Sequence, residues 1–393
     1  MRLYLTSLNP TDSVTAGFLP AAEALGWDVT ILTDHPAGYP GFETIETIET
    51  IETDVRDVRA VVDTIARHHP PGVVFTNSDH IQAETALVAE YFGLPGKDWR
   101  ACVTAKNKAL TRERLAPVES VRSVRLTPGA GLPEALPYPV VVKPAMGVAS
   151  EDVTLARDAG ELAEAVAEIR TRRPGETLVA EEYLDGPLHT LETLGDGRTV
   201  AVLGGFRTTL GPLPHFVEER LDWDPEPPPG ARDHALAALA ALGVGFGACH
   251  TEYVVTPDGP RIVEVNYRVI GDNCDLLLAD MIGAPLFEWI LRVHAGEPLP
   301  RPQEAAAAGH GAVVSLVADR SGLVTAAPPP GEGPRERDGV RLWHRPLRRV
   351  GDRVELTHTN RDYLGLLRAV GPDRARVDAA VAAFRAERPW VIG

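Results

Sequence analysis

The chain is poor in several things that would commit it early. It holds three cysteines in 393 residues, Cys102, Cys249 and Cys274. The count is odd and the spacings match no zinc or redox motif, so free thiols in a reducing compartment are expected. No run approaches the ~18 apolar residues of a membrane-spanning helix. The first residues read as a strand rather than as the basic start and apolar centre of a signal peptide, so a cytoplasmic location is expected. The first turn, Leu8-Asn9-Pro10-Thr11-Asp12, lacks GxGxxG, which disfavours a dinucleotide-binding Rossmann site. No GxxxxGK(S/T) occurs anywhere, so there is no Walker A loop, and no serine or cysteine triad signature points to a covalent nucleophile. Positive charge is also scarce: the formal net charge is -16. Such a surface repels phosphate backbones and anionic bilayers, so neither nucleic acid nor a membrane is an expected partner.

What is present is ordinary for a globular protein, with 44% hydrophobic and 24% charged residues. The length predicts two or three domains, each large enough to bury a core. Residues 1–100 alternate strand and helix patterns: strands at 2–7, 28–33 and 72–76, helices at 14–26, 55–68 and 81–92. That alternation predicts crossover units and a parallel sheet. Inside it, residues 43–54 read ETI-ETI-ETI-ETD. Period three fits neither a strand nor an amphipathic helix, and an expanded surface loop is the expectation. From 138 onward the pattern changes. Strand-like runs at 138–143, 177–183, 199–206, 249–256 and 261–266 surround helical patterns at 159–170 and 231–242, which predicts an α+β unit. Residues 225–230 (PEPPPG) read as a loop. After a strand at 311–318 and a Pro-rich break at 327–334 the chain ends in a helix at 373–387. The expected division is 1–100, 101–300 and 301–393.

The most informative stretch is 249–268, CHTEYVVTPDGPRIVEVNYR. Two β-branched runs flank Pro257-Asp258-Gly259, which is strong turn chemistry. A hairpin symmetric about Asp258 sets Glu252 opposite Glu264 and His250 opposite Asn266. Side chains alternate with period two, so all four share one face. Directly opposed carboxylates repel. A divalent cation relieves that repulsion, and Mg²⁺ takes hard oxygens from one or two carboxylates plus substrate phosphates. Asn266 offers a further carbonyl oxygen. Arg268, two positions on, can stabilise developing charge or clamp a carboxylate. A second signal is the apolar strand ending in Lys143, followed by Ala145, Met146, Gly147, Val148, Ala149 and Ser150. Small residues there let backbone N–H groups approach phosphate oxygens. A third is the basic helix start at 106–112, with Lys108.

Taken in order, NKALTRERL, PVVVKPAMGVAS, LVAEEYL and HTEYVV…RIVEVNYR, behind an N-terminal α/β region, resemble the ATP-grasp superfamily over about 300 residues. The resemblance implies a fold and a set of roles. The fold is an N-terminal Rossmann-like parallel sheet, a two-subdomain ATP-grasp unit and a small C-terminal α+β domain. Lys108 and Lys143 would hold the ATP phosphates. Ala145, Met146, Gly147 and Ser150 would belong to the phosphate lid. The backbone at Glu182, Tyr183 and Leu184 would meet the adenine edge, with Glu181 facing its amino group. His189 would contact the ribose. Glu252, Glu264 and Asn266 would ligate Mg²⁺, with Mn²⁺ as its substitute. Arg268 would contact the substrate carboxylate or acyl phosphate. The sequence departs from the family at Leu188, where many members carry a ribose-binding glutamate, and at Asp152, where a glycine is common.

The resemblance further implies an ATP-dependent carboxylate–amine ligase that passes through an acyl phosphate. It is closest to bacterial L-amino-acid ligases that make dipeptides or amide-bonded natural products, with γ-glutamyl ligation as one form. The loop 211–219 would then touch substrate through His215 and Glu218. The partners implied are a small carboxylate and an amine, both amino acids, and a homodimer as in many relatives. Biotin-carboxylase-like, formate-dependent transformylase-type and siderophore amide-forming chemistries are the alternative ligase readings. A nucleotide-binding regulatory module is the non-enzymatic one.

Overall fold

The computed structural model describes residues 1–39, 47–300, 309–329, 331 and 333–393. The N-terminal strands are β1 (Arg2–Thr6), β2 (Asp28–Thr33), β3 (Ile48–Glu52) and β4 (Val73–Phe75). They form one sheet in the order β3-β2-β1-β4, and every pairing is parallel. Consecutive residues Leu3, Tyr4 and Leu5 are all fully buried, as a parallel sheet covered on both faces requires. The covering helices include α1 (Leu19–Ala24), α2 (Val58–Arg67) and α3 (Gln82–Tyr91).

The ETI repeat corrects the sequence expectation. Residues 43–46 lie outside the described residues, but Ile48–Glu52 is an edge strand, not a loop. A three-residue spacing in a strand sends successive isoleucines to opposite faces. Ile48 packs into the core cluster that holds Leu3, Leu5 and Phe75. Ile51 packs against the cluster that holds Tyr4 and Leu32 on the other side. Period three is therefore a usable strand pattern when both faces of the sheet are covered.

Two short helices follow, α4 (Trp99–Lys106) and α5 (Lys108–Leu115). Asn107 separates them and caps α5 by accepting from the N–H groups of Ala109 and Leu110. Next comes a small antiparallel sheet of β5 (Ser123–Leu126), β6 (Val140–Pro144), β7 (Thr154–Ala156) and β8 (Leu178–Glu182), in the order β5-β8-β6-β7. The helix α6 (Ala159–Arg172) packs on it through Leu162, Val166 and Ile169.

The rest of the chain is dominated by one large antiparallel sheet. Its first strands are β9 (Leu188–Asp196), β10 (Val200–Gly204), β11 (Phe206–Leu210) and β12 (Glu218–Trp223). After α7 (Ala231–Leu242) come β13 (Phe246–Thr256) and β14 (Gly259–Asn266). After α8 (Cys274–Ile282) and α9 (Leu286–His294) come β15 (His310–Val317), β16 (Gly322–Ala326), β17 (Arg335–Arg337), β18 (Val340–Pro346), β19 (Arg353–Val354), β20 (Tyr363–Gly371) and β21 (Val391–Ile392). The sheet runs β14-β13-β9-β11-β12-β15-β20-β18-β17, with β10 on β9. Strands from beyond residue 309 thus hydrogen-bond directly onto those before residue 224. The terminal helix α10 (Arg374–Glu387), capped by Asp373, covers β15, β18 and β20 through Val377, Val381 and Phe384.

The single strand expected over 199–206 is in fact two, β10 and β11. The break is at Gly204, whose φ of +134° lies in glycine territory. A Cβ there would sit 2.2 Å from Cη2 of Trp223. Both facts demand glycine. Gly204→Ala is expected to destabilise the fold by about 1–3 kcal/mol through overpacking and backbone strain. A lowered midpoint of denaturant unfolding at unchanged slope checks this; an unchanged midpoint contradicts it.

Candidate active site

The hairpin β13–β14 supplies the floor of the site. Glu252 pairs with Glu264 and His250 with Asn266, the pairs expected from the sequence. The route to that register differs from the expectation. The turn is two residues, Pro257-Asp258, between paired Thr256 and Gly259. Tyr253 pairs with Ile262, so Val263 is an extra residue in β14. This bulge shifts the register by one and restores the alignment of the two glutamates. All four side chains face a cavity of about 520 Å³, together with Arg268, Glu218 and Asp272.

A second cavity of about 260 Å³ lies beside the first. Its lining includes Lys108, Lys143, Gly147, the 181–184 stretch, Leu188 and Phe216. Val148, Ser150, Glu218, Glu252 and Glu264 line both. The two spaces therefore meet at the carboxylates. The smaller has an apolar body with two buried lysines at one end. The larger is polar and opens toward the N-terminal loop at Asn9–Asp12 and toward Arg345, Asn360 and Arg361.

The lysines sit where their charges are balanced. Lys108 Nζ lies 2.8 Å from Glu264 Oε1 and donates to the Gly147 carbonyl at 2.9 Å. Lys143 Nζ lies 2.8 Å from Glu181 Oε2. Arg112, one helical turn after Lys108 and on the same face, donates to Glu181 and, at 2.6 Å, to Glu119. Glu119 also meets His234 at 2.7 Å and accepts from the Ile262 N–H at 2.9 Å. Burial alone would raise the Glu181 carboxyl, but Lys143 and Arg112 overcome that and hold it at about 2. Sequence reasoning missed Arg112 and Glu119; the i,i+4 spacing of Lys108 and Arg112 was the available signal.

Behind Glu252 lies another network. His250 Nδ1 is 2.7 Å from Glu192 Oε1, and its Nε2 is 3.3 Å from Glu252 Oε1. Burial would lower this histidine; Glu192, with a lesser contribution from Glu252, lifts it to about 10. An imidazolium is thus held between two carboxylates and orients Glu252. Glu218 is pushed the other way: burial and the Glu252 charge raise it to about 8. Glu192 lies on β9, which the sequence reading did not detect as a strand.

The loop after Lys143 bears conformational strain. Ala149, Ser150 and Asp152 have φ of +55°, +55° and +59°. Non-glycine residues there cost about 1–3 kcal/mol each and persist only where neighbours hold them. Ser150 Oγ donates to the Phe216 carbonyl at 2.8 Å. Asp152 is held by Arg172 and Arg173. Ala145 is buried and Met146 is 45% exposed.

Other expected residues land differently. The N–H groups of Glu182 and Tyr183 are committed to the carbonyls of Arg122 and Pro139, and the Glu182 carboxylate pairs with Arg122. His189 lines neither cavity; it pairs with Asp224 at 3.3 Å and stacks on Tyr253. His215 lines neither of these two cavities but a third of about 720 Å³, where it stacks on His358 at 4.4 Å. Glu218, expected in a loop, begins β12 and lines both cavities.

The oxygen set of Glu252, Glu264 and Asn266 fits magnesium. Among the described residues no group of three or more His, Cys, Asp or Glu side chains is placed to hold a metal alone. Two carboxylates and an amide oxygen leave coordination positions for phosphate oxygens and water, which is how Mg²⁺ is held beside nucleotides.

No family model matches the chain. The crystal structure of an L-amino acid ligase from Bacillus licheniformis superposes with a TM-score of 0.84, covering 100% of this chain and 98% of that one at 22% identity. The chain has the ATP-grasp fold. It also shares a family with an uncharacterized protein of Sinorhizobium fredii, 30% identical over 81% of this chain and 68% of that protein. Human carnosine synthase 1 is 27% identical over 60% of this chain, which spans 32% of that longer protein. No helix among the described residues of this ATP-grasp protein is long and apolar enough to cross a membrane.

The Arg112–Glu181 network makes a pH prediction. The folded value of Glu181, about 2, lies below the ordinary glutamate value of 4.5. Its contribution is therefore complete above about pH 4.5 and is lost as pH falls toward 2, an amount of about 3 kcal/mol. Glu181→Gln is expected to flatten the acid limb of the stability–pH curve while lowering stability at neutral pH. Chemical denaturation from pH 7 to pH 3 reads this; parallel curves would contradict it.

Proposed function

We propose that this ATP-grasp protein is an ATP-dependent ligase that activates a carboxylate as an acyl phosphate and joins it to an amine, both partners being amino acids. The observation that carries the reading is the junction of two cavities at Glu218, Glu252 and Glu264. A nucleotide in the smaller cavity would place its terminal phosphate where a carboxylate in the larger one can reach it. The similarity to an L-amino acid ligase and to carnosine synthase supports amino acids as substrates.

The reaction in this arrangement has two steps. A carboxylate oxygen attacks the γ-phosphorus, the bond to the bridging oxygen breaks, and ADP leaves. The amine nitrogen then attacks the acyl carbon, inorganic phosphate leaves, and the nitrogen loses a proton. Bound Mg²⁺ supplies neutralisation of phosphate charge. Lys108 and Lys143 act as fixed cations for the phosphate tail. The apolar lining, with Val141, Leu188 and Phe216, excludes water around the base. With the Glu182 and Tyr183 N–H groups already engaged, the adenine edge is left to carbonyl groups of this stretch and to the Leu184 N–H. Arg268 lines the larger cavity and, among the described residues, donates to the Val269 carbonyl and lies 4.0 Å from Asp79. It is placed to hold the reacting carboxylate or its acyl phosphate.

Phosphate release screened over amino-acid pairs, with mass spectrometry of products, tests this. The expected result is release that needs both an acid and an amine and yields a product one water lighter than their sum. Release that depends on bicarbonate or formate, or none with any pair, would overturn it. Arg268→Met is expected to lower kcat/KM about 100-fold, the scale of losing one group that stabilises transition-state charge, with unfolding unchanged. Steady-state kinetics check this; a change below threefold would contradict it.

A further inference from the structure

The strained loop 145–152 is gripped from far along the chain. The backbone N–H of Asn360 donates to the Ala149 carbonyl at 3.1 Å. Arg361 Nε lies 2.7 Å from Glu151 Oε1. The side-chain oxygen of Asn360 accepts from the Glu218 N–H at 3.0 Å, and Tyr363 Oη donates to the Glu218 carbonyl at 2.6 Å. One short segment therefore holds both the phosphate-lid loop and the backbone of the carboxylate at the cavity junction.

The segment is itself rigid. Residues Asn360–Asp362 form a 3₁₀ turn closed by a capping box between Thr359 and Asp362. Asp362 is 1% exposed and also accepts from the Thr357 N–H and hydroxyl. The Arg361 carbonyl accepts from Arg348. The same residues look into the larger cavity: Asn360, Arg361 and Tyr363 all line it. A rigid turn that touches the substrate space on one side and the lid on the other is built to link them.

We propose that Asn360 and Arg361 are positioning residues that couple the filling of the substrate cavity to closure of the loop 145–152 over the nucleotide phosphates. This rests on the ligase reading for the identity of the two cavities. The physical argument is over-determination. Three non-glycine residues with positive φ cannot hold one loop conformation by themselves, and two of the contacts that hold it come from a segment more than 200 residues away. An acid or amine packed against Asn360 and Arg361 would order them, and with them the lid. Without that packing the lid would open more often, and ATP would be hydrolysed less efficiently in the absence of substrates.

Asn360→Ala removes the acceptor for the Glu218 N–H, and Arg361→Ala removes the Glu151 partner. Arg361 is 60% exposed at its side chain, so its variant will fold. Asn360→Ala is expected to raise the KM for ATP about tenfold, the size of one lost hydrogen bond, and Arg361→Ala about threefold, the size of an exposed ion pair, each with a smaller change in kcat. Asn360→Asp keeps an acceptor atom and is expected to recover most of that loss. The second readout needs no turnover. A glutamate-specific endoprotease is used with a non-hydrolysable ATP analogue and Mg²⁺, and cleavage after Glu151 is followed by mass. In the unmodified protein the analogue is expected to suppress the cut at least fivefold, and in Arg361→Ala to suppress it less than twofold. Folded variants with unchanged ATP KM and unchanged protection at Glu151 would overturn the coupling. If no acid–amine pair supports turnover, the ligase reading fails, while the proteolysis result still decides the latch.

Discussion

Everything in the site hangs on two like charges held against each other. Glu252 and Glu264 are directly opposed across β13 and β14. Two carboxylates about 5 Å apart repel by about 3 kcal/mol even at an effective dielectric of 20. The fold tolerates this by surrounding the pair with cations. Lys108 meets Glu264 from α5, and the His250 imidazolium meets Glu252 from the same strand. Burial, with the Glu252 charge added to it, raises the neighbouring Glu218 carboxyl to about 8. Under the proposed function, such a site would take a divalent cation and the phosphates that travel with it.

The surrounding architecture can be understood as support for that pair. The large sheet is continuous from β14 through β20, so the hairpin is tied to strands from both halves of the chain. The helices α4, α5 and α7 pack behind the hairpin through Ala105, Leu115, Leu239, Tyr253 and Ile262. The small sheet brings Lys143 and Glu181 to the smaller cavity, and Arg112 locks α5 to it. Buried ion pairs of this kind add little net stability over apolar packing, yet removing one partner strands the other. Their value here is geometric: they fix where the lysines point.

Much of this was legible in the sequence because it is local. Turn chemistry at Pro257-Asp258-Gly259 and strict alternation on either side set which residues oppose which. The pairing came out as expected although the turn and the bulge at Val263 each moved the register by one. The parallel N-terminal sheet followed from alternating periods, and the caps at Asn107, Asp158 and Asp373 follow ordinary helix-start chemistry. What was not legible is long-range or two-sided. β9 was missed because its run from Leu188 to Asp196 mixes buried polar and apolar residues; Thr190 and Glu192 are polar yet buried by their partners. The ETI repeat misled because its period matches neither ideal element, and only a sheet covered on both faces makes sense of it. His215 was assigned to substrate from its loop, and its stacking on His358 depends on a residue 143 positions away that no local pattern reveals. Asn360 and Arg361 belong to the same category.

Magnesium-dependent binding of ATP tests the central claim most directly. Titration calorimetry of ATP with and without Mg²⁺ should give tight binding only with the metal, and Glu264→Gln should abolish that difference while keeping the unfolding midpoint within a few degrees. If Glu264→Gln binds Mg·ATP as the unmodified protein does, the opposed carboxylates are not a metal site and the account fails.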